Sequence, residues 1–407
     1  MEKNEVDALI ADDLQEDDWK EIQEFNASVL DYDEAISKLI EEWVQLSNNY
    51  DDYLNPRLRK KLVERFGSDE QDLEYEALEF FQNELSALKR AIDEATLKSD
   101  WLSVIDICDS LVIFFNLRTY WEDLEETLKI ALSASQKAEN DLAEARVLNN
   151  LGHTFRLLGR AEEGISYCQK SVEIFREIKD ERGIAEALYT LGYLFRSVGQ
   201  WQSSISNFEE CLSLFESFED SVGKAGALDG LGQVYTKQGN LSQAEKVLRE
   251  SLYIKEGLGN RFQVSITCNN LGKVYIQKGD LGEAENLFRR SLAIKQEIND
   301  RQGQGVSLNE LGEVCRLKGE FDKAMNYYYE SLKIKDQVSA STNSAVSDNH
   351  GKGLTHMNIG LLFKEKGDIE QAIDNWEIAL DELNDYSPEF KQVQEWLQQF
   401  SSVNDRS

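Results

Sequence analysis

Three asparagines, Asn149, Asn269 and Asn309, share one position of a pattern that recurs along the chain, two residues before a Leu-Gly pair. Asp229 holds the same position in an intervening unit. Asparagine offers both a donor and an acceptor, the two functions a peptide main chain presents in return. Two residues after the same leucine stand His153, Tyr193, Gln233, Lys273 and Glu313. Five after it stand Arg156, Arg196, Thr236, Ile276 and Arg316. These three offsets lie on one helix face, because successive steps are three or four residues. Arginine there presents a planar fork matched to carboxylates. The chemistry on offer is recognition by hydrogen bonds and charge.

Bond-breaking chemistry finds no footing. Neither GxxxxGK[ST] nor GxGxxG after a strand occurs, and no segment reads as a strand. The three histidines, His153, His350 and His356, form no HxxxH or HExxH spacing, and His356 takes a position held elsewhere by a core leucine. The five cysteines, Cys108, Cys168, Cys211, Cys268 and Cys315, stand at packing positions and lack zinc-site spacing, so they read as buried thiols. No catalytic residue, cofactor site or metal site is expected.

The elements that position the polar face come from a repeat. Leu151-Gly152 returns every 40 residues as Leu191-Gly192, Leu231-Gly232, Leu271-Gly272 and Leu311-Gly312, then after 48 as Ile359-Gly360. A fixed period in this range means stacked supersecondary units. Each unit reads as two helices. The first carries an apolar stripe such as Leu148, Leu151 and Phe155 and is closed by a glycine, Gly159, Gly199, Gly239, Gly279 or Gly319. The second carries a small residue (Gly164, Ser204, Ala244, Ala284, Ala324), usually followed four residues on by a large one such as Phe208, Leu248, Phe288 or Tyr328. Glycine inside a helix costs roughly 1 kcal/mol, which makes sense where another helix crosses closely.

With this order of Leu-Gly, aromatic, turn glycine, small and large residue, the chain from about 101 to 386 resembles the tetratricopeptide repeat. Its period is longer than that family's usual 34 residues. It is similar to the subclass in kinesin light chains and the Leu-Gly-Asn spindle-orientation adaptors, and to the sensor arrays of bacterial signal-transducing NTPases. The usual proline closing the second helix is missing, and a polar junction such as Lys179 to Gly183 reads instead as a longer second helix. The resemblance implies an all-α solenoid, a right-handed superhelix of helix-turn-helix units. It further implies that the polar face lines a concave groove for a peptide segment. The expected contact residues are Asn149, Asn269, Asn309, Asp229, Tyr193, Lys273, Arg156, Arg196 and Arg316.

In chain order, residues 1–68 read as an acidic N-terminal helical region, its first dozen a frayed tail. Asn55-Pro56 starts a helix that carries the basic cluster Arg57, Arg59, Lys60, Lys61 and Arg65. Residues 69–140 read as a long helix plus a degenerate repeat in which Val112 and Thr119 replace the glycines. Five regular units fill 141–340, an insertion loop 341–348, a last unit 349–386, and a capping helix with a tail 387–407. An end cap covers the apolar face that the last unit would otherwise expose.

The chain carries 44 Lys and Arg against 76 Asp and Glu, a net charge of −32. That charge repels phosphate backbones and anionic membranes, leaving a basic or neutral protein or peptide as the expected partner. No stretch has the length of a membrane span and the acidic start is unlike a signal peptide, so a cytoplasmic setting is expected. The sequence predicts a non-enzymatic adaptor. Two alternatives stand beside it: a peptide-sensing regulator of the Rap type, with residues 19–68 as effector bundle, and the detached sensor subunit of an NTPase switch.

Overall fold

The computed structural model describes residues 29–54, 70–341, 349–383 and 387–404. The basic cluster at 57–65, the acidic start and most of the insertion loop lie outside them. Seventeen helices and no strand occur among the described residues. The chain divides into two compact units, one holding the described residues up to Leu158 with Glu173–Ile178, the other holding Gly159–Val172 and everything from Lys179 onward.

The first unit contains α1 (Val29–Leu54), α2 (Glu70–Leu97), α3 (Trp101–Arg118), α4 (Trp121–Lys137) and α5 (Asp141–Leu157). The long helix expected from residue 69 is α2. Helices α1, α2 and α3 pack on one another around aromatic rings. Tyr50 stacks on Phe80 at 3.9 Å, and Phe81 meets Phe114 at 5.4 Å. Thr119, standing where a turn glycine was expected, adopts the left-handed conformation at φ 59°. A β-branched residue is uncommon there, and its N–H bonds back to Asn116 O to close α3.

Helix α6 (Ala161–Glu177) is followed in the second unit by α7 (Glu181–Ser197), α8 (Trp201–Ser217), α9 (Ser221–Lys237) and α10 (Leu241–Gly257). Then come α11 (Arg261–Lys278), α12 (Leu281–Glu297), α13 (Arg301–Leu317), α14 (Phe321–Ser341), α15 (Asn349–Lys366), α16 (Ile369–Glu382) and α17 (Pro388–Asn404). From α7 to α16 the helices pack in consecutive pairs. Each first helix also touches the first helix of the next pair.

The polar junctions do not lengthen the second helices. Helices α8, α10 and α12 each stop at 17 residues. Glu219, Gly259 and Asn299 then turn left-handed. Asp220, Asn260 and Asp300 follow as N-caps, accepting from Gly223, Gln263 and Gly303 N at 3.0, 3.1 and 2.8 Å. Each cap satisfies a backbone donor that the helix start leaves orphaned. A repeating Asp or Asn therefore replaces the missing proline. Of the insertion loop expected at 341–348, Ser341 is instead the last residue of α14, and α15 begins at Asn349.

The Leu-Gly glycines mark where rings cross. A Cβ on Gly272 would lie 2.5 Å from the Phe288 ring, on Gly312 2.5 Å from Tyr328, and on Gly360 2.3 Å from Trp376. Small-opposite-large packing thus brings α11 onto α12, α13 onto α14 and α15 onto α16 at close-packed distance. Helix α17 closes the series, with Trp396 and Phe400 5.2 and 5.6 Å from Trp376. All five cysteines are free and buried, and burial pushes their thiols up in pKa.

Candidate functional site: a polar groove along the first helices

A cavity of about 370 Å³ runs across the first helices of the second unit, within the range of small-ligand sites. Arg196 from α7 lines one part of it, with Gln233, Thr236 and Lys237 from α9. Asn270, Lys273, Ile276 and Gln277 of α11 and Asn309, Glu310 and Glu313 of α13 follow. Leu354, Met357 and Asn358 of α15 and Glu389 of α17 complete the wall. The residues alternate amides with charged groups over an apolar patch. Such a surface can pair with a main chain while holding charged side chains.

Two of the lining carboxylates, Glu310 and Glu313, are already paired. Lys273 Nζ lies 3.1 Å from Glu310 Oε1, and Glu310 is the main reason that its ammonium pKa is raised. Arg316, 8% exposed, forks onto Glu313 at 2.7 Å and also meets Glu365. Burial alone would lower its pKa, but the two carboxylates hold it up. Arg196 differs. Its guanidinium sits 5.3 Å from the Tyr193 ring centre, and its buried Nε donates to nothing. Burial lowers its pKa. A buried donor left unmade costs roughly 1–3 kcal/mol.

Behind the groove wall runs a ladder that sequence reading passed over. Lys255 Nζ donates to Thr267 Oγ1 at 2.8 Å, and that hydroxyl donates to Asp229 Oδ1 at 2.7 Å. One period on, Lys295 donates to Ser307 Oγ at 3.0 Å, and Ser307 to Asn269 Oδ1 at 3.3 Å. Lys335 donates to Thr355 Oγ1 at 2.7 Å and to Gly351 O at 2.6 Å. All three lysines are at most 5% exposed. The signal was available in their exact 40-residue recurrence, with Phe175 and Phe215 at the equivalent earlier positions. A lysine is normally read as surface, which hid it.

The expected contact residues therefore divide. Lys273, Arg196 and Asn309 line the groove. Asn309 is 8% exposed and accepts from Asn358 Nδ2 at 3.3 Å. Asp229 and Asn269, 3% and 7% exposed, face the lysine ladder. Asn270 and Gln233 take up the second Asp229 oxygen at 2.8 and 3.0 Å. Arg316 is buried against its carboxylates, and Tyr193 packs edge-on against Phe208 at 5.0 Å. Asn149 and Arg156 belong to the first unit, where Arg156 Nη2 donates to His153 Nε2 at 3.0 Å. Burial, reinforced by that arginine, brings the His153 pKa down to about 4. His356 is half-buried beside Asn375, 3.2 Å from Nδ1 to Oδ1. Glu389 comes from the end helix and could not be reached by counting repeat positions.

Among the described residues no group of three or more His, Cys, Asp or Glu is placed to hold a metal ion, and no helix is long and apolar enough to cross a membrane. No curated protein matches the sequence. Among the solved structures that share the fold are the following three. A Rap protein complexed with competence and sporulation factor is 15% identical, with 91% of this chain and 98% of that one covered, at a TM-score of 0.56. Aspartyl phosphate phosphatase F from Bacillus subtilis is 12% identical, with 87% and 95% covered, at 0.58. The apo quorum sensor NprR from B. thuringiensis is 16% identical, with 86% and 99% covered, at 0.54. The tetratricopeptide repeat model matches residues 143–217, 183–257 and 263–337. Over those matched residues, with their paired helices and crossing glycines, the chain is built of tetratricopeptide repeats.

Proposed function

We propose that the protein is a non-enzymatic binding protein that holds a short segment of a partner protein or peptide in the groove along α7, α9, α11, α13 and α15. The observation that carries this reading is the groove itself. Five consecutive first helices supply amides and charges to one cavity, with an apolar patch of Ile276, Leu354 and Met357 between them. Fixed amides over an apolar floor suit a main chain with alternating side chains. The net charge of −32 favours a partner that is neutral or basic overall, in a cytoplasmic setting.

The test is selection from a random peptide library on the full chain, followed by Ile276→Trp, which fills the cavity. Selected peptides should lose at least tenfold in affinity for the variant while its melting temperature stays within a few degrees. Equal binding to both proteins would move the binding surface out of the groove.

A second reading is a peptide-sensing regulator, and the fold shared with Rap and NprR proteins over most of the chain favours it. On this reading a selected peptide changes the distance between labels placed at the two ends of the second unit. A passive adaptor leaves that distance unchanged.

A further inference from the structure

Resting on the groove reading, we propose that the occupant carries two opposite charges, a carboxylate seated against Arg196 and Lys237 at the α7–α9 end, and a cation seated against Glu389 at the α17 end. The lining changes sign once along the series of helices. Its cations are Arg196, Lys237 and Lys273, on α7, α9 and α11, and its anions are Glu310, Glu313 and Glu389, on α13 and α17. The middle of this gradient is already neutral. Lys273 is paired with Glu310, and Glu313 with Arg316. Three charges remain. Among the described residues Arg196, Lys237 and Glu389 form no ion pair.

The unpaired charges at the two ends differ in what satisfies them. Arg196 stacks on Tyr193 through its face, which leaves the in-plane Nε hydrogen unused. Arg196 also lines the groove, and a carboxylate entering there matches its guanidinium fork. Glu389 stands in the first turn of α17, where the helix end favours a negative charge. Its field extends to Lys273 and His350. A segment with an acid at one end and a Lys or Arg at the other closes both ends together. A purely acidic segment meets Glu389, and a purely basic one meets Arg196 and Lys237, so the gradient rejects both.

The experiment uses the full chain and four fluorescein-labelled hexapeptides on an Ala/Asn background: one Asp and one Lys at opposite ends, Asp alone, Lys alone, and neither. Fluorescence anisotropy is read at low and physiological salt. The doubly charged peptide should bind at least tenfold more tightly than the neutral one. Arg196→Gln should erase the gain contributed by Asp and keep that contributed by Lys, and Glu389→Gln should do the reverse. Thermal melting of both variants checks their folding. Neutral and charged peptides binding equally would overturn the charge requirement while leaving the groove reading intact. So would an Arg196→Gln variant that weakens all four peptides alike, since that is the behaviour of a structural residue. If no hexapeptide binds, yet library peptides bind wild type and fail on Ile276→Trp, the charge rule falls alone.

Discussion

Lys255 on α10 and Asp229 on α9 form an ion pair, Nζ to Oδ1 3.3 Å, with side chains only 6% and 5% exposed. Thr267 of the next first helix bridges them. The pair thereby ties three successive helices together at one point. Removing one member of such a pair strands the other in a low-dielectric interior, which costs far more than the intact pair contributes.

Asp229→Ala should therefore destabilise the second unit by about 3–5 kcal/mol. Asp229→Leu combined with Lys255→Met should recover most of that loss, because no charge is then left buried. Thermal melting with hydrogen exchange over α9–α11 reads both outcomes. An Asp229→Ala protein that melts with its parent would show that the pair contributes no structural strength.

Lys295 gives a pH signature. It occupies the same place as Lys255, but its hydroxyl relay ends on the neutral Asn269 rather than on a carboxylate. Burial lowers its pKa to about 8, with Asp300 and Glu310 opposing and Lys273 adding to the shift. In the unfolded chain a lysine titrates at ~10.4. Between these values the unfolded state binds more protons than the folded one, so stability rises with pH across that window. Below about pH 8 both states are protonated and the burial penalty is present in full. The rise amounts to roughly 3 kcal/mol at most. Lys295→Met should be more stable than wild type at pH 7, and the gap should close towards pH 10. A gap independent of pH would place the amine in a water-accessible site.

Gly272 tests the crossing. Gly272→Ala sets a methyl carbon against the Phe288 ring, and overpacking of this kind costs about 1–3 kcal/mol. Phe288→Ala in the same chain should make Gly272→Ala cost less than it does alone, because the ring is then gone. Leucine would not serve, since a Cβ on Gly232 would still lie 2.3 Å from Leu248 in the preceding unit. The same Gly→Ala change at an exposed, right-handed helical position stabilises instead. Urea unfolding of the two single variants and the double variant gives the coupling, and simple additivity would mean that the two residues do not meet.

These examples show which features the sequence exposes. Gly272 and Phe288 were legible as a crossing because a glycine costs a helix stability unless something needs the space. The lysine ladder was not, because the solvation of an amine cannot be judged until its neighbours are placed. Nor was the split between Asn269 and Asn309. Both stand two residues before a Leu-Gly pair, yet the side chain that covers each is supplied by the following unit. After Asn269 the next residue in that place is Ser307, in reach of Lys295. After Asn309 the residue in that place is Thr355, which Lys335 engages, while Asn309 accepts from Asn358, three positions further on and in the groove lining. The 48-residue step between the last two units falls at this junction, and no offset count within one unit reports it.

The two asparagines can be separated by experiment. Asn269 is the terminal acceptor of the Lys295–Ser307 relay and lies outside the groove lining. Asn269→Ala leaves the Ser307 hydroxyl without that acceptor, so it should lower stability by about 1 kcal/mol. Affinity for groove peptides should stay within twofold. Asn309 lines the cavity, and its Oδ1 accepts from Asn358. Its amide hydrogens are thereby oriented for a ligand carbonyl. Asn309→Ala should cost about 0.5–1.5 kcal/mol in binding, which is roughly 2- to 12-fold in affinity, with a smaller change in melting temperature than Asn269→Ala. Calorimetric titration of one selected peptide against both variants, beside their melting curves, decides the matter. A loss of affinity for Asn269→Ala equal to that for Asn309→Ala would mean that the relay and the groove act as one unit. An Asn309→Ala variant that binds as wild type does would remove this amide from the contact surface.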